Sequence, residues 1–210
     1  MSAPLLPEDV LRLSPVMPVV TIEDAAQAEP LARVLLASGI TTIEVTLRTP
    51  AALDAIRSIA QAAPEMIVGA GTVLTRDDLA AAIDAGARYA LSPGATPKLM
   101  KAARKAGIPF IPGVATSGEI QRGMELGYRC FKLFPAEQLG GVATLKALAG
   151  PFPAARFCPT GSITPEKTPA YLALFNVLCV GGSWIAPADK IRAGDWAAIE
   201  AAAKQAAALR

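Results

Sequence analysis

Residues 88–114 read RYALSPGATPKLMKAARKAGIPFIPGV. Two short apolar runs, 88–92 and 109–114, flank a stretch of helical periodicity, PKLMKAARKAG (97–107). Thr96 stands where a helix N-cap belongs. Gly107 stands where a helix ends on a left-handed residue. Strand, helix, strand at this spacing is a βαβ unit, and such units build parallel sheets. The rhythm continues in both directions. Strand runs are predicted at 16–20, 41–47, 66–71, 129–134, 155–160 and 176–182 as well. Helical stretches between them carry candidate caps at Asp24, Thr75, Ser117 and Asp195 and candidate stops at Gly39, Gly86, Gly127 and Gly150. A helix over 7–13 precedes the first strand, and the last helix runs from about Asp195 to the end. No linker or composition shift interrupts the pattern. Eight unbroken units predict an α/β fold: a single (β/α)8 TIM barrel domain over residues 1–210 with an additional N-terminal helix, its loops short. The rival is an open doubly wound sheet, which usually carries a glycine-rich loop after its first strand. Here that strand runs into VVTIED, without glycine.

Composition narrows the chemistry. Of 210 residues, 52% are hydrophobic and 18% charged, which suits a buried core and excludes disorder as the main state. Lys plus Arg is 20 against 18 Asp plus Glu, and no basic block occurs. No nucleic-acid or membrane partner is therefore expected. His is absent. That removes His-ligated zinc, Ser-His-Asp and Cys-His catalysis, and a His base. Neither a metal nor another cofactor is expected. Cys130, Cys158 and Cys179 lie in short apolar runs and read as buried, reduced thiols, which favours a cytoplasmic location. The N-terminal stretch lacks the form of a signal peptide, and no apolar run is long enough to span a membrane.

The informative residues are polar ones inside strand runs. Lys132 lies in the middle of RCFKLFP, sharing a strand face with Cys130 and Phe134. Burial disfavours the charged form of a lysine, and a free amine in a dry pocket forms Schiff bases with carbonyls. An edge lysine or a structural ion pair fits the position equally well. Glu44, Thr46 and Arg48 share a face of ITTIEVTLRTP. A carboxylate inside a barrel is costly unless paired, and suits proton transfer. Arg48 offers a planar fork for a substrate carboxylate. An inert Glu44 pair with Lys132 or with Arg48 is the competing reading. Gly69, Gly71 and Thr72 in IVGAGTVL mark close backbone approach at a strand end. Ser92-Pro93-Gly94 and Pro112-Gly113 occupy the matching places after the next two strands. Thr160-Gly161-Ser162 and Gly181-Gly182-Ser183 follow the last two strands, the usual phosphate site of such barrels, with backbone N–H groups as donors. Trp184 and Trp196 read as packing residues.

The segments EVTLRT (44–49), VGAGTV (68–73), SPG (92–94), IPGV (111–114), FKLFPAE (131–137), RFCPTGSI (156–163) and VGGSW (180–184) together resemble the 2-keto-3-deoxy-6-phosphogluconate aldolases. The related 4-hydroxy-2-oxoglutarate aldolases share the pattern. The resemblance runs in order from about residue 15 to 190. It implies a class I aldolase acting on a small 2-keto acid or phosphosugar, usually a homotrimer. It also implies roles: Lys132 as Schiff-base lysine and Glu44 as general acid/base. Arg48, Thr72 and Pro93 would surround the pyruvyl carboxylate, with Phe134 beside the imine. Thr160, Gly161, Ser162, Gly182 and Ser183 would hold the far hydroxyls and phosphate. One departure bears on substrate choice. The family commonly has Thr-Gly-Gly-Ile where this chain has Thr160-Gly161-Ser162-Ile163, which puts a Cβ at the phosphate site.

Overall fold

The structure, a computed structural model, describes residues 5–209. Residues 1–4 and 210, included in the expected 1–210 domain, lie outside the described residues. The strands are β1 (Val16–Val20), β2 (Thr42–Thr46), β3 (Ile67–Gly71), β4 (Tyr89–Leu91), β5 (Phe110–Ile111), β6 (Gly113–Val114), β7 (Cys130–Leu133), β8 (Arg156–Phe157) and β9 (Val180–Gly182). Each falls within a predicted run. The fifth run is split into β5 and β6 at Pro112, which has no N–H to give to a ladder. A helix, α1 (Pro7–Arg12), precedes β1.

Every strand pairing is parallel. One sheet has the order β5-β4-β3-β2-β1-β9 and the other β6-β7-β8. The isolated parallel bridges Phe157↔Val177 and Thr160↔Gly181 run from the β8 segment to the chain before β9 and to β9 itself. The fold is α/β, built on a curled parallel sheet.

Caps set the helix starts. Thr75 accepts a bond from the Asp78 amide while Asp78 accepts from the Thr75 amide, a capping box opening the helix Arg76–Asp84. Thr96 and Asp195 cap their helices as predicted. Ser117 does not: Thr116 caps that helix, paired with Glu119 in a second capping box. Ser117 lies one residue inside because only Thr116 has a capping-box partner three residues on. Gly39, Gly86, Gly107 and Gly127 have positive φ at helix ends, but Gly150 is right-handed, so that position needs no glycine geometry. The last helix is Trp196–Ala207.

The apolar residues divide into two bodies. One lies between the sheet and the helices, with Leu31, Ile43, Ile56, Val68, Phe131 and Phe157 among its members. The other lies on the sheet's opposite face. It joins Val10 and Leu11 of α1 to Met17, Tyr89, Leu91, Ile111, Cys130, Cys158 and Cys179. All three cysteines are buried, and none forms a disulfide among the described residues. Burial pushes the Cys130 thiol up to about 12. The Tyr89 hydroxyl, also pushed up by burial, lies 2.8 Å from Thr42 Oγ1. Gly69 makes room for its ring, which a Cβ there would meet at 2.3 Å.

Leu11 is fully buried in the second body, so α1 is part of the core. Leu11→Ala is expected to lower unfolding free energy by about 2 to 5 kcal/mol in a denaturant titration. A loss below ~1 kcal/mol would mean that α1 is dispensable to the core.

Candidate active site

Because every pairing is parallel, all strand C-termini share one rim, where α/β folds gather functional groups. Lys132 lies on β7 and Glu44 on β2. Lys132 Nζ donates to Glu44 Oε1 at 2.8 Å, with side-chain exposures of 6% and 0%. Of the two pairings open to Glu44, the structure forms this one. Arg48 turns instead to Thr72, its Nε donating to Thr72 Oγ1 at 3.2 Å.

The pair is poorly explained as structural support. Removing two charges from water costs several kcal/mol per ion and is offset only when all polar atoms are well partnered. Glu44 Oε2 is buried and accepts no hydrogen bond among the described residues. A half-satisfied carboxylate facing an amine suits a group whose second oxygen meets something else. Local sequence makes the space. A Cβ at position 71 would lie 2.1 Å from Glu44 Oε1, so Gly71 is required by the carboxylate itself. Thr46, one step along the same face, donates to the Val20 carbonyl at 2.9 Å and lies 3.0 Å from Thr21 Oγ1. Phe134 lies beside the lysine, with Nζ 5.8 Å from its ring centroid.

The remaining expected residues lie at or just beyond the ends of the neighbouring strands. Thr72 has φ +59, a left-handed conformation unusual for a threonine. Ser92 is buried and accepts from the Gly113 amide at 3.2 Å. Gly113 is in register with Lys132, and a Cβ on it would meet the Pro93 carbonyl oxygen at 2.4 Å. Pro93 is thus placed next to the lysine strand. Thr160 bridges to Gly181, bringing the last two loops side by side. A Cβ at 181 would meet Thr160 Oγ1 at 2.2 Å. Gly182 is buried at the end of β9 and Ser183 is exposed just beyond it. Gly161 and Ser162 have φ of +116 and +57. Below the lysine, Cys158 is fully buried. A hydrogen bond with Cys179, opposed by burial and helped by the Lys132 charge, lowers its thiol from the ordinary value.

Two features escaped the sequence reading. Gln138 Nε2 donates to Ser162 Oγ at 3.0 Å. Glu137 accepts bonds from Tyr171 and Lys167, tying the loop after β7 to the helix Thr168–Leu172 and the turn before it. No spacing rule links residues 24 to 34 positions apart. Trp184 packs against the core as expected, but its Nε1 is buried without a partner among the described residues. A cleft of about 550 Å³ lies at the opposite rim, lined by Leu6, Ile108, Phe110 and Tyr128 among others, and holds neither Lys132 nor Glu44.

A family model described as KDPG and KHG aldolase matches residues 8–202. The chain belongs to that family. A 2-dehydro-3-deoxy-phosphogluconate aldolase from Pseudoalteromonas atlantica is 52% identical over 201 residues, covering 96% of this chain and 94% of the relative. A KHG/KDPG aldolase from Escherichia coli K12 is 51% identical over 199 residues, covering 95% and 93%. Among solved structures, a KDPG aldolase from Legionella pneumophila superposes with a TM-score of 0.95 at 44% identity, covering 97% of this chain and 99% of that one. That crystal holds pyruvate captured at low pH as a covalent carbinolamine intermediate.

Family membership makes aldol cleavage the readout for the site. Gly71→Ala puts a methyl where Glu44 Oε1 lies, so the carboxylate must leave Lys132. The variant is expected to keep its circular-dichroism spectrum and lose about 100-fold in kcat/KM for aldol cleavage, as misplacement by ~1 Å typically does. Wild-type turnover would show that the Lys132–Glu44 contact is not needed.

Proposed function

We propose that this chain is a class I aldolase, a lyase that cleaves 2-keto-3-deoxy-6-phosphogluconate to pyruvate and glyceraldehyde 3-phosphate. The observation that carries the reading is the buried Lys132 amine held on Glu44. The carbinolamine in the Legionella relative supports it. In this reading the two sheets act as one (β/α)8 barrel, joined at Pro112 and by the bridges to the β9 segment, with α1 as the additional helix. The described residues, 5–209, then form one domain. The three buried thiols, outside any disulfide among the described residues, favour the cytoplasm. The resemblance favours a homotrimer, for which light scattering should give the mass of three chains.

The steps follow from the geometry. Lys132 hands a proton to Glu44 and adds as the free amine to the C2 ketone. Arg48, with Thr72 and the Pro93 backbone, orients the adjacent carboxylate, which converts encounter into a near-attack arrangement. Glu44 returns that proton to the carbinolamine hydroxyl, which departs as water, and leaves an iminium with Phe134 beside it. Glu44 accepts the proton of the C4 hydroxyl. The C3–C4 bond breaks and its electrons flow into the iminium, giving an enamine. The aldehyde departs, its phosphate held by Thr160, Gly161, Ser162, Gly182 and Ser183. Protonation at C3 and addition of water release pyruvate and restore Lys132. The imine supplies the electron sink.

A second reading takes 4-hydroxy-2-oxoglutarate, or a related 2-keto-3-deoxy sugar acid, as the preferred substrate. Ser162, which puts a Cβ where the family commonly has glycine, supports it, and the Escherichia coli relative is a KHG/KDPG aldolase. The ratio of kcat/KM on the two substrates decides between them.

Incubation with pyruvate and borohydride, followed by peptide mapping, tests the mechanism. The adduct is expected on Lys132 and is expected to vanish in Lys132→Ala. Glu44→Gln should retain the fold and lose about 10² to 10⁴-fold in turnover. Near-wild-type turnover in either variant would remove that residue from the mechanism.

A further inference from the structure

Ser162 has φ +57, a conformation that glycine adopts freely and a serine adopts only under strain. Such outliers persist where surrounding contacts hold them, and they concentrate at functional sites. The holding contact is Gln138, whose amide donates to Ser162 Oγ at 3.0 Å. Gln138 is itself placed from two sides. The Ala136 amide donates to the Thr160 carbonyl at 2.8 Å and the Glu137 amide to the Gly161 carbonyl at 3.4 Å. The Glu137 carboxylate is fastened by Tyr171 and Lys167. The loop after the lysine strand therefore grips the loop after β8 through backbone and side chain together.

The chemistry of a hydroxyl gives this contact a direction. A serine oxygen that accepts a bond from Gln138 keeps its own hydrogen to give elsewhere. That hydrogen, on a strained loop facing the rim, suits an anionic oxygen, and hydrogen bonds to charged acceptors are the strong ones. We infer that Gln138 is a positioning residue for phosphate recognition: it orients the Ser162 hydroxyl as a donor to the substrate phosphate. This inference rests on the phosphorylated-substrate reading above. On it, the serine does not weaken a glycine loop but adds a side-chain donor to it.

The test is a double-mutant cycle with Gln138→Ala, Ser162→Gly and the double variant, assayed on 2-keto-3-deoxy-6-phosphogluconate and on 4-hydroxy-2-oxoglutarate. Both positions are exposed and Ser162→Gly relieves a positive φ, so folding is not at risk. Gln138→Ala is expected to raise KM for the phosphorylated substrate about fivefold, the scale of one uncharged hydrogen bond, at unchanged kcat. Its kcat/KM on 4-hydroxy-2-oxoglutarate is expected to stay as in wild type. In the Ser162→Gly background Gln138→Ala should add nothing. If the two effects multiply, or if Gln138→Ala harms both substrates alike, Gln138 does not act through Ser162. A wild type that prefers the phosphorylated substrate while Gln138→Ala leaves its KM unchanged overturns this inference alone. A wild type with equal kcat/KM on both substrates overturns the phosphate reading and the inference with it.

Discussion

The Lys132–Glu44 pair is the constraint to which the surrounding structure answers. Two opposite charges sit in the interior, 2.8 Å apart, with one carboxylate oxygen unpartnered. Left to itself, such a pair favours water or hydrophobic replacement. It persists because strands on either side hold the two backbones in place. Glu44 pairs in register with Val19 and Gly69, and Lys132 with Gly113. The stability that sustains this arrangement comes from elsewhere, from apolar burial on the helix-facing side of the sheet. A lone charge in either place would be worse than the pair, so the two residues constrain one another as well as the chemistry.

Glycine placement follows from that constraint. Gly71, Gly113 and Gly181 stand where the site's own atoms come closest: the Glu44 carboxylate, the Pro93 backbone and the Thr160 hydroxyl. A Cβ at any of them would approach those atoms to 2.1–2.4 Å, distances that force a shift. None of the three has a positive φ, so conformational freedom is not what is needed. The need is volume. The sheet's inner face is apolar near the strand starts and is trimmed to glycine near the strand ends. Room for the polar atoms results from the same alternation that elsewhere makes a core.

This explains what could be read from the letters and what could not. The strand runs were legible because parallel strands are short, apolar and evenly spaced. Lys132 and Glu44 were legible because they break that apolarity. Which partner Glu44 takes was not, because Lys132 and Arg48 both share suitable faces and only the curl of the sheet brings β7 opposite β2. Ser117 and Thr116 are adjacent hydroxyl residues, and the choice between them turned on Glu119 as capping-box partner. Gly150 matched a pattern but not the backbone that usually enforces it. Gln138 carried no signal: its partner is 24 residues away on another loop, and an exposed glutamine has no preferred environment.

The two rims divide stability from chemistry. At the strand starts, α1 covers an apolar body that includes Cys130, whose thiol burial raises to about 12. At the strand ends lie the amine, the carboxylate, the exposed guanidinium of Arg48 and two strained residues, Thr72 and Ser162. Strand direction alone enforces this separation, since every inward side chain sits at a depth set by its place along its strand. The strained residues lie in loops beyond the last paired residue, where a locally costly conformation does not have to propagate into the sheet. Glu44 lies deeper than these loops, inside β2, where the ladder on both sides fixes its backbone. The paired ladder thus holds the Glu44 backbone from both sides, while Thr72 and Ser162 lie beyond it in loops.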